Sequence, residues 1–168
     1  MWWNWWRKSK DIIAEERVDW EPSTNGRAKS FLPPIPGGFQ IYASFALVGV
    51  SFRKDDSLRF ANSQNQSLEL EREPDNSHDK NAIKVIGVSK RGRAFIGYVP
   101  KDVAAQVVRS GMYETLRPRL GRIYEGRNSN PDFPGSYLEI NIQIIGQKGN
   151  KSQFEDAAKK PRTRKAKV

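Results

Sequence analysis

The chain has 168 residues, a formal net charge of +10 and no cysteine. Disulfides and thiolate metal sites are therefore excluded, and the length suits one small domain with flanking segments. No apolar run approaches the roughly 20 residues that cross a bilayer, so we expect no membrane span. The charge favours a polyanionic partner, although most of the excess lies in residues 147–168, which carry eight basic and two acidic side chains.

Residues 1–38 are interpreted as a segment outside the main domain. They begin with Trp2, Trp3, Trp5 and Trp6 and end in a Pro- and Gly-rich linker at residues 31–38. Tryptophan pairs a large apolar face with one polar N–H, so it suits protein partners, membrane interfaces and base stacking alike. Packing of these rings back onto the domain is an equal alternative, and the sequence leaves the choice open.

The middle of the chain has the residue pattern of β-strands. Residues 137–145 alternate strictly, which directs Leu138, Ile140, Ile142 and Ile144 to the core. Residues 39–52 are aromatic, β-branched and uncharged until their end, and predict a long strand with a bend at Gly49. Pro100 and Gly111 bound a predicted helix. Residues 53–66 form a loop or a short helix, and further strands are expected at 68–72, 82–88, 94–99 and 115–124.

A polar loop separates two of these strands and contains the single histidine of the chain, His78. Its side chains are short acids, amides and hydroxyls, the types that bond to nearby backbone and tolerate tight turns. One interpretation is therefore purely structural. The other is a binding site held at both ends by strands, formed by Asp75, Asn76, Ser77, His78, Asp79 and Asn81.

The order of residues in this loop resembles the central signature of HIRAN domains. The resemblance is carried by Arg-Glu-Pro-Asp-Asn-x-x-Asp-Lys-Asn-Ala-Ile-Lys-Val at residues 72–85, by Val-Gly-Val at 48–50 and by Ile-Gly-Tyr-Val-Pro at 96–100. It extends over roughly residues 47–146. It implies an all-β fold, an OB-like six-stranded barrel with one or two helices at residues 39–146. Residues 147–168 are basic and poor in apolar side chains, and this composition predicts a disordered tail.

The resemblance also implies a function, since HIRAN domains grip the 3′-hydroxyl end of single-stranded DNA. Asp79 matches the residue that accepts from the terminal hydroxyl, and Asp75 and Asn76 would shape the pocket or bond to the last nucleotide. Ser51 and Phe52 match positions that contact the last bases. Family members often carry an aromatic residue where His78 stands and a histidine where Tyr98 stands, so this chain departs from the pattern at both.

Residue chemistry adds further candidates to this list. Rings at strand ends and in loops stack on bases, and Phe52, His78, Tyr98 and Tyr137 are so placed. A basic hairpin tip supplies candidate phosphate contacts at Lys90, Arg91 and Arg93, with Lys101 as another, although exposed turns are often basic for solvation alone. Arginines alternate along residues 117–122, which is typical of a nucleic-acid groove and equally of an ordinary wet face.

The sequence contains few of the residues that a catalytic site would need. A metal-dependent nuclease centre from Asp75, His78 and Asp79 lacks a second acidic cluster, and no Gly-x-x-x-x-Gly-Lys phosphate loop occurs. We therefore predict a cytoplasmic, nucleoid-associated or nuclear binding protein that is not an enzyme, with no cofactor and no metal. The alternative is a protein-interaction adaptor that uses the tryptophans and the Pro-rich linker.

Overall fold

The computed structural model describes residues 20–132 and 134–159, so the four N-terminal tryptophans and residues 160–168 lie outside the described residues. The strands are β1 (Glu21–Ser23), β2 (Gly26–Ser30), β3 (Phe39–Ala46), β4 (Ser67–Arg72), β5 (Ile83–Ser89), β6 (Gly92–Tyr98), β7 (Arg117–Arg127) and β8 (Ser136–Gln147). The helices are α1 (Lys54–Ala61), α2 (Lys101–Ser110) and α3 (Lys151–Asp156), with short 3-10 helices at Val50–Arg53 and Tyr113–Thr115.

The strands form two antiparallel sheets. One has the order β1-β2-β7-β8-β3 and the other the order β4-β5-β6. They are bridged where Val48 and Tyr98 exchange both backbone hydrogen bonds at 2.9 Å. The prediction of a mostly β fold is confirmed. The predicted barrel is corrected, because the described part of the chain has eight strands in two open sheets and three α-helices. Six of these strands, β3 to β8, lie within residues 39–147, where six were predicted.

The core lies between the two sheets and the helices that cover them. The alternation of β8 predicts its inward side correctly, since Leu138, Ile140, Ile142 and Ile144 are all buried. Phe60 of α1 is buried on the other sheet, where its ring lies so close to Gly87 that an added Cβ would meet it at 2.7 Å. Glycine at position 87 is therefore required by packing, because a side chain there would displace the helix.

The expected long strand over residues 39–52 is wrong in its second half. β3 ends at Ala46, Gly49 adopts a left-handed conformation with φ of 75°, and a 3-10 helix follows. A positive φ is the reason, because it turns the chain out of the extended path and glycine adopts it at no steric cost. Ser51 and Phe52 therefore lie on a helical turn at the end of the sheet, not on a strand.

The chain before residue 39 contributes strands that the sequence interpretation did not include. β1 and β2 form a hairpin, β2 pairs with β7 from Gly26 to Ser30, and Phe31 and Leu32 extend that pairing by donating to the carbonyls of Gly121 and Leu120. The Asn25-Gly26 turn is a hairpin signal, but charged residues surround it rather than alternating apolar ones. The pairing is held by the buried Lys29, whose Nζ donates to the Ala61 carbonyl at 2.9 Å.

The expectation of disorder from residue 147 onward is wrong for residues 151–156, which form α3. Phe154 of this helix is only 1% exposed, and its ring centroid lies 5.3 Å from that of Tyr42. Its carbonyl accepts from the Gln106 side chain at 2.8 Å, which ties α3 to α2. A single aromatic residue among polar ones gives no amphipathic pattern, so the sequence could not reveal this contact.

Phe154→Ala is expected to lower the free energy of unfolding by about 3–5 kcal/mol, because it leaves a cavity in the core. Thermal and urea unfolding followed by circular dichroism measure this. Phe52→Ala is the matched control, because that ring is 89% exposed and its loss should change stability by less than about 0.5 kcal/mol. Equal stabilities for the two variants would contradict the packing of α3.

Candidate nucleic-acid interface

The loop between β4 and β5 is held in one conformation by its own asparagine. The Asn76 Oδ1 accepts from the backbone N–H groups of His78 and Asp79, at 2.9 and 3.0 Å. Two backbone bonds close the loop at its base, since the Glu73 N–H donates to the Ala82 carbonyl and the Ala82 N–H donates to the Asp79 carbonyl. Side-chain bonds of this Asx type replace the ladder bonds that a loop cannot make. The loop is therefore built before any ligand arrives.

Glu73, the residue at the start of this loop, is the acceptor that joins the loop to the sheet. Its Oε2 accepts from Asn76 Nδ2 at 2.7 Å and from the Tyr98 hydroxyl at 2.9 Å, while its Oε1 lies 2.8 Å from Lys84 Nζ. Lys84 and Tyr98 are paired on neighbouring strands β5 and β6. A single carboxylate thus connects the loop to both strand ends.

These contacts shift the protonation equilibria of the network. The hydrogen bond from Lys84, followed by those from Asn76 and Tyr98, lowers the pKa of Glu73 from 4.5 to about 2. The same bond raises the pKa of Lys84, and burial together with the bond to Glu73 raises the pKa of the Tyr98 hydroxyl. All three changes favour the state in which Glu73 is ionised, Lys84 is protonated and Tyr98 is a neutral donor.

A layer of cations and rings covers this network. The Arg53 guanidinium carbon lies 3.9 Å from the Phe95 ring centroid and 5.4 Å from that of Tyr98. Phe95 and Tyr98 meet edge to face with centroids 5.0 Å apart, and Lys84 Nζ lies 5.4 Å from the Phe95 centroid. Arg53 is fixed at its other end, where Nη1 donates to the Gly49 carbonyl at 3.0 Å. Arg53 therefore presents a flat, oriented cation beside the loop.

The predicted site residues on the 3-10 helix lie next to this layer. Phe52 directly precedes Arg53 and is 89% exposed, and Ser51 is exposed as well. Tyr98 lies close to the same turn, because it bridges to Val48 and its ring comes within 4.0 Å of a Cβ built on Gly49. Tyr98 is thus bonded to the loop through Glu73, and the helical turn that carries Ser51 and Phe52 is linked to Tyr98 through Val48 and Arg53.

Within the loop, the predicted residues differ in how free they are. Asp75 and His78 are exposed, whereas Asp79 is partly buried and its Oδ1 accepts from the Asn81 N–H at 2.9 Å. The amide of Asn76 is engaged at both its oxygen and its nitrogen. Asn76 therefore shapes the loop, and Asp75, His78 and Asp79 are the side chains that face outward or have acceptor capacity left.

Tyr137 lies on the other sheet, but a lysine connects its neighbourhood to the 3-10 helix. Lys54, which follows Arg53 in the chain, donates from Nζ to the Ser136 carbonyl at 2.7 Å. Tyr137 is 45% exposed, and its ring meets Tyr124 at a centroid distance of 5.9 Å. Tyr137 is thus adjacent to the site rather than a wall of it.

The predicted phosphate contacts are divided between the two ends of the small sheet. Lys101 begins α2, three residues after Tyr98, and is exposed near the loop end. Lys90 and Arg91 lie at the β5–β6 hairpin tip, the far end of strands that are seven residues long, or about 20 Å. Arg93 is next to this tip and forms an ion pair with Glu69 of β4.

Sequence reasoning gave no role to four residues that build this site: Arg53, Glu73, Lys84 and Phe95. Glu73 and Lys84 lie inside the motif at residues 72–85, and this motif was the sequence feature that could have indicated their role. No sequence feature indicated Arg53 and Phe95, because their contact joins residues far apart in the chain. In the described parts of the chain, no group of three or more His, Cys, Asp and Glu side chains could hold a metal ion, and no helix is long and apolar enough to cross a membrane.

Acid is expected to release the Glu73 network only at very low pH. Because the pKa of Glu73 is lowered from 4.5 to about 2 in the folded protein, its stabilisation is fully present above about pH 4.5. That stabilisation is lost as the pH falls through about 2. Thermal melts of the wild type and of Glu73→Gln, taken from neutral pH downward, should differ by a constant amount until about pH 4.5 and then converge.

Lys84→Met tests the cause assigned to this shift. Removing the leading hydrogen-bond donor should raise the pKa of Glu73 toward its ordinary value, which a carboxyl-carbon NMR titration measures directly. A carboxyl that still titrates near pH 2 in this variant would contradict the leading role of Lys84.

Two comparisons with known proteins give a match. A family model described as "HIRAN domain" matches residues 42–147, more than half of the chain. The crystal structure of the HIRAN domain of human HLTF is similar at a TM-score of 0.42 and 20% identity, over 74% of this chain and 93% of that one. No curated protein matches the chain with significance. On the family match, the protein belongs to the HIRAN domain family, a family of DNA-binding domains.

Proposed function

We propose that this protein binds single-stranded DNA at a free 3′-hydroxyl end, without catalysing a reaction, in repair, replication or mobile-element biology. The terminal nucleotide enters the loop formed by residues 73–82, with its hydroxyl directed to the Asp79 carboxylate. Its base and the preceding one stack on the exposed ring of Phe52. The nucleoid of a bacterium or phage-infected cell, or a nucleus, is the matching location.

The observation that carries this proposal is an exposed ring, Phe52, next in the chain to the Arg53 that covers Tyr98, the residue bonded to the rigid loop through Glu73. Phe52 is 89% exposed, which costs solvation free energy unless a ligand covers it, and base stacking on such a ring contributes about 1–3 kcal/mol. The loop already has its backbone bonded to Asn76. A preformed site binds without the cost of ordering it.

The chemistry of the loop favours a hydroxyl over a phosphate. Asp75 and Asp79 are the carboxylates of the loop beyond Glu73, and Lys84, the cation bound to Glu73, is already paired. A carboxylate accepts a proton from a hydroxyl and repels a terminal phosphate. Arg53 is then placed to bind the internal phosphate on the 5′ side of the last nucleotide, because guanidinium groups pair well with phosphate oxygens.

The adaptor interpretation rests on Trp2, Trp3, Trp5 and Trp6, which lie outside the described residues, and on the Pro-rich linker at residues 31–38. The start of that linker is bonded to β7, since Phe31 and Leu32 donate to Gly121 and Leu120. The nuclease interpretation requires Asp75, His78 and Asp79 to converge on one ion. Asp79 Oδ1 instead accepts from the Asn81 N–H, and the described residues contain no group of three or more His, Cys, Asp and Glu side chains that could hold a metal ion.

Phe52→Ala should weaken the binding of short single strands by about 1–3 kcal/mol, through lost stacking. Fluorescence anisotropy with a labelled oligonucleotide measures the affinity, and the melting temperature should stay at the wild-type value. Leu58, which packs against the core from α1, provides the contrast, because Leu58→Ala should lower stability and leave the affinity of the folded protein unchanged. Unchanged affinity in folded Phe52→Ala would refute the stacking role.

Asp79→Asn should compress the preference for a 3′-hydroxyl over a 3′-phosphate end. The substitution keeps the shape and the acceptor for the Asn81 N–H but removes the charge, so affinity for the hydroxyl end falls while affinity for the phosphate end falls less or rises. Anisotropy titrations with two oligonucleotides that differ only at this end give the ratio. Asp75→Asn is the control for a general loss of negative charge in the same loop.

An unchanged ratio in a folded Asp79→Asn variant would assign Asp79 to the turn alone. In that case Asp79→Ala, which removes the acceptor for the Asn81 N–H, would lower stability by about 1 kcal/mol, and this cap would be the whole role of the residue.

A further inference from the structure

The outer face of the five-stranded sheet carries a row of arginines and aromatic rings that the proposed end site does not use. On β7, Leu120 and Ile123 are buried, and the side chains on the opposite face are Arg117, Arg119, Arg122 and Tyr124. We call these four residues, together with Phe39 and Tyr137, the arginine face.

A bulge keeps this row on one face. The register between β7 and β8 shifts between Leu120 and Arg122, so the spacing along the row is two residues from Arg117 to Arg119 and then three to Arg122. Without the bulge, in which Gly121 is the extra residue, strict alternation from Arg117 would turn Arg122 and Tyr124 into the core. An added Cβ on Gly121 would meet the Asn141 carbonyl oxygen at 2.9 Å. The bulge is therefore specified by the sequence.

The cations of the arginine face are held in place. The Arg117 guanidinium carbon lies 4.6 Å from the Phe39 ring centroid and that of Arg122 lies 5.5 Å from the Tyr124 centroid. Arg119 donates to the Pro33 carbonyl and to the Gln143 side chain. Guanidinium groups held flat on rings lose little entropy when they bind a phosphate and keep N–H groups free to donate.

A groove of about 300 Å³ opens on the same face. Its wall is partly apolar, with Leu32 51% exposed, and partly composed of amides and hydroxyls. Its lining includes Ser30, Leu32, Ser44, Phe45, Arg122, Asn141 and Gln143. Glu139 is the acidic side chain of β8 on this face, and it accepts from Asn141 Nδ2 at 2.7 Å. Three arginines thus face one carboxylate, which leaves the described part of the face cationic.

We propose that the arginine face binds the internal part of a DNA single strand, 5′ to the nucleotides held at the loop. This inference rests on the proposed function for the location of the 3′ end. Charge complementarity favours a polyanion, and exposed ring and groove surface beside each cation favours unpaired bases, which stack without regard to sequence. A duplex would present phosphates to the arginines but no base faces to the rings.

The two surfaces are continuous at one corner. Lys54 follows the 3-10 helix that carries Phe52, and its bond to the Ser136 carbonyl places it next to Tyr137, the first ring of the arginine face. From Tyr124 to Arg117 the row runs seven residues along β7, or about 23 Å. The DNA strand therefore passes from Phe52 across Lys54 and Tyr137 to Arg122 and Arg117.

The test compares 3′-hydroxyl oligothymidylates of about 4 and about 16 nucleotides, the limits of known sites on folds of this size, by fluorescence anisotropy with the full chain. Arg122→Ala should lower affinity for the longer strand about tenfold and leave the shorter one within about twofold. Its salt slope on the longer strand should decrease by about 0.7, as for one lost phosphate contact. Arg122→Lys should restore the slope but not the full affinity, since ammonium does not stack on Tyr124 as guanidinium does.

Arg59→Ala is the matched control, because this exposed α1 arginine pairs with Asp56 and its loss removes the same charge elsewhere. Circular dichroism melts of all variants verify folding. Three outcomes would each overturn the inference: equal losses in Arg59→Ala and Arg122→Ala, an unchanged affinity of folded Arg122→Ala for the longer strand, or an equal Arg122 effect on a 16-base-pair duplex.

The ratio between the affinities for 3′-hydroxyl and 3′-phosphate ends, measured on the short strand, tests the end site separately. A ratio of one in the wild type would reject the proposed end recognition while an Arg122 effect confined to long strands would still support the arginine face.

Discussion

The site depends on one carboxylate, Glu73, that three partners share. An ionised carboxyl group offers about four lone-pair positions, and here they hold Asn76 of the loop, Lys84 of β5 and Tyr98 of β6. Tyr98 also makes the bridge between the two sheets through Val48. The loop and the 3-10 helix that carries Phe52 are therefore both linked to Tyr98. Their relative position depends on how this end of β6 packs.

The sequence predicted the parts of the fold that period-two alternation can reveal. The strand at residues 136–147 and the helix bounded by Pro100 and Gly111 agree with their patterns. Two elements that the sequence did not predict, β2 and α3, share one property. A buried side chain attaches each of them to the rest of the fold, in addition to its backbone bonds. Lys29 holds the β2 region through a bond to the Ala61 carbonyl, and Phe154 holds α3 through the core. Neither contact leaves a periodic trace, because tertiary packing overrides local propensity.

At the site, composition singled out the loop between β4 and β5, but it did not predict which bonds each side chain of that loop makes. Asn76 was expected to shape the pocket or to bind the nucleotide, and its bonds to the loop backbone favour the first role. Arg53 went unnoticed because its partner Phe95 is 42 residues away in the chain. Pairings of this kind depend on how the sheets meet, which no local pattern records. The roles of the site residues toward DNA stay predictions.

The distribution of charge follows from what the proposed end site must reject. A pocket that accepts a hydroxyl and repels a phosphate needs carboxylates near the terminal position, and such carboxylates also weaken the attraction for the rest of the strand. The cations that offset this repulsion must lie where internal phosphates pass. Lys84 is paired with Glu73, and Arg93 with Glu69, so neither adds net charge beside the loop. The arginine face lies on the other sheet, and salt screens exposed charges that are separated by more than a Debye length of about 8–10 Å. In the proposed arrangement, attraction and selection are separated, so that a basic protein would hold a polyanion while its terminal pocket would discriminate between two chemical ends.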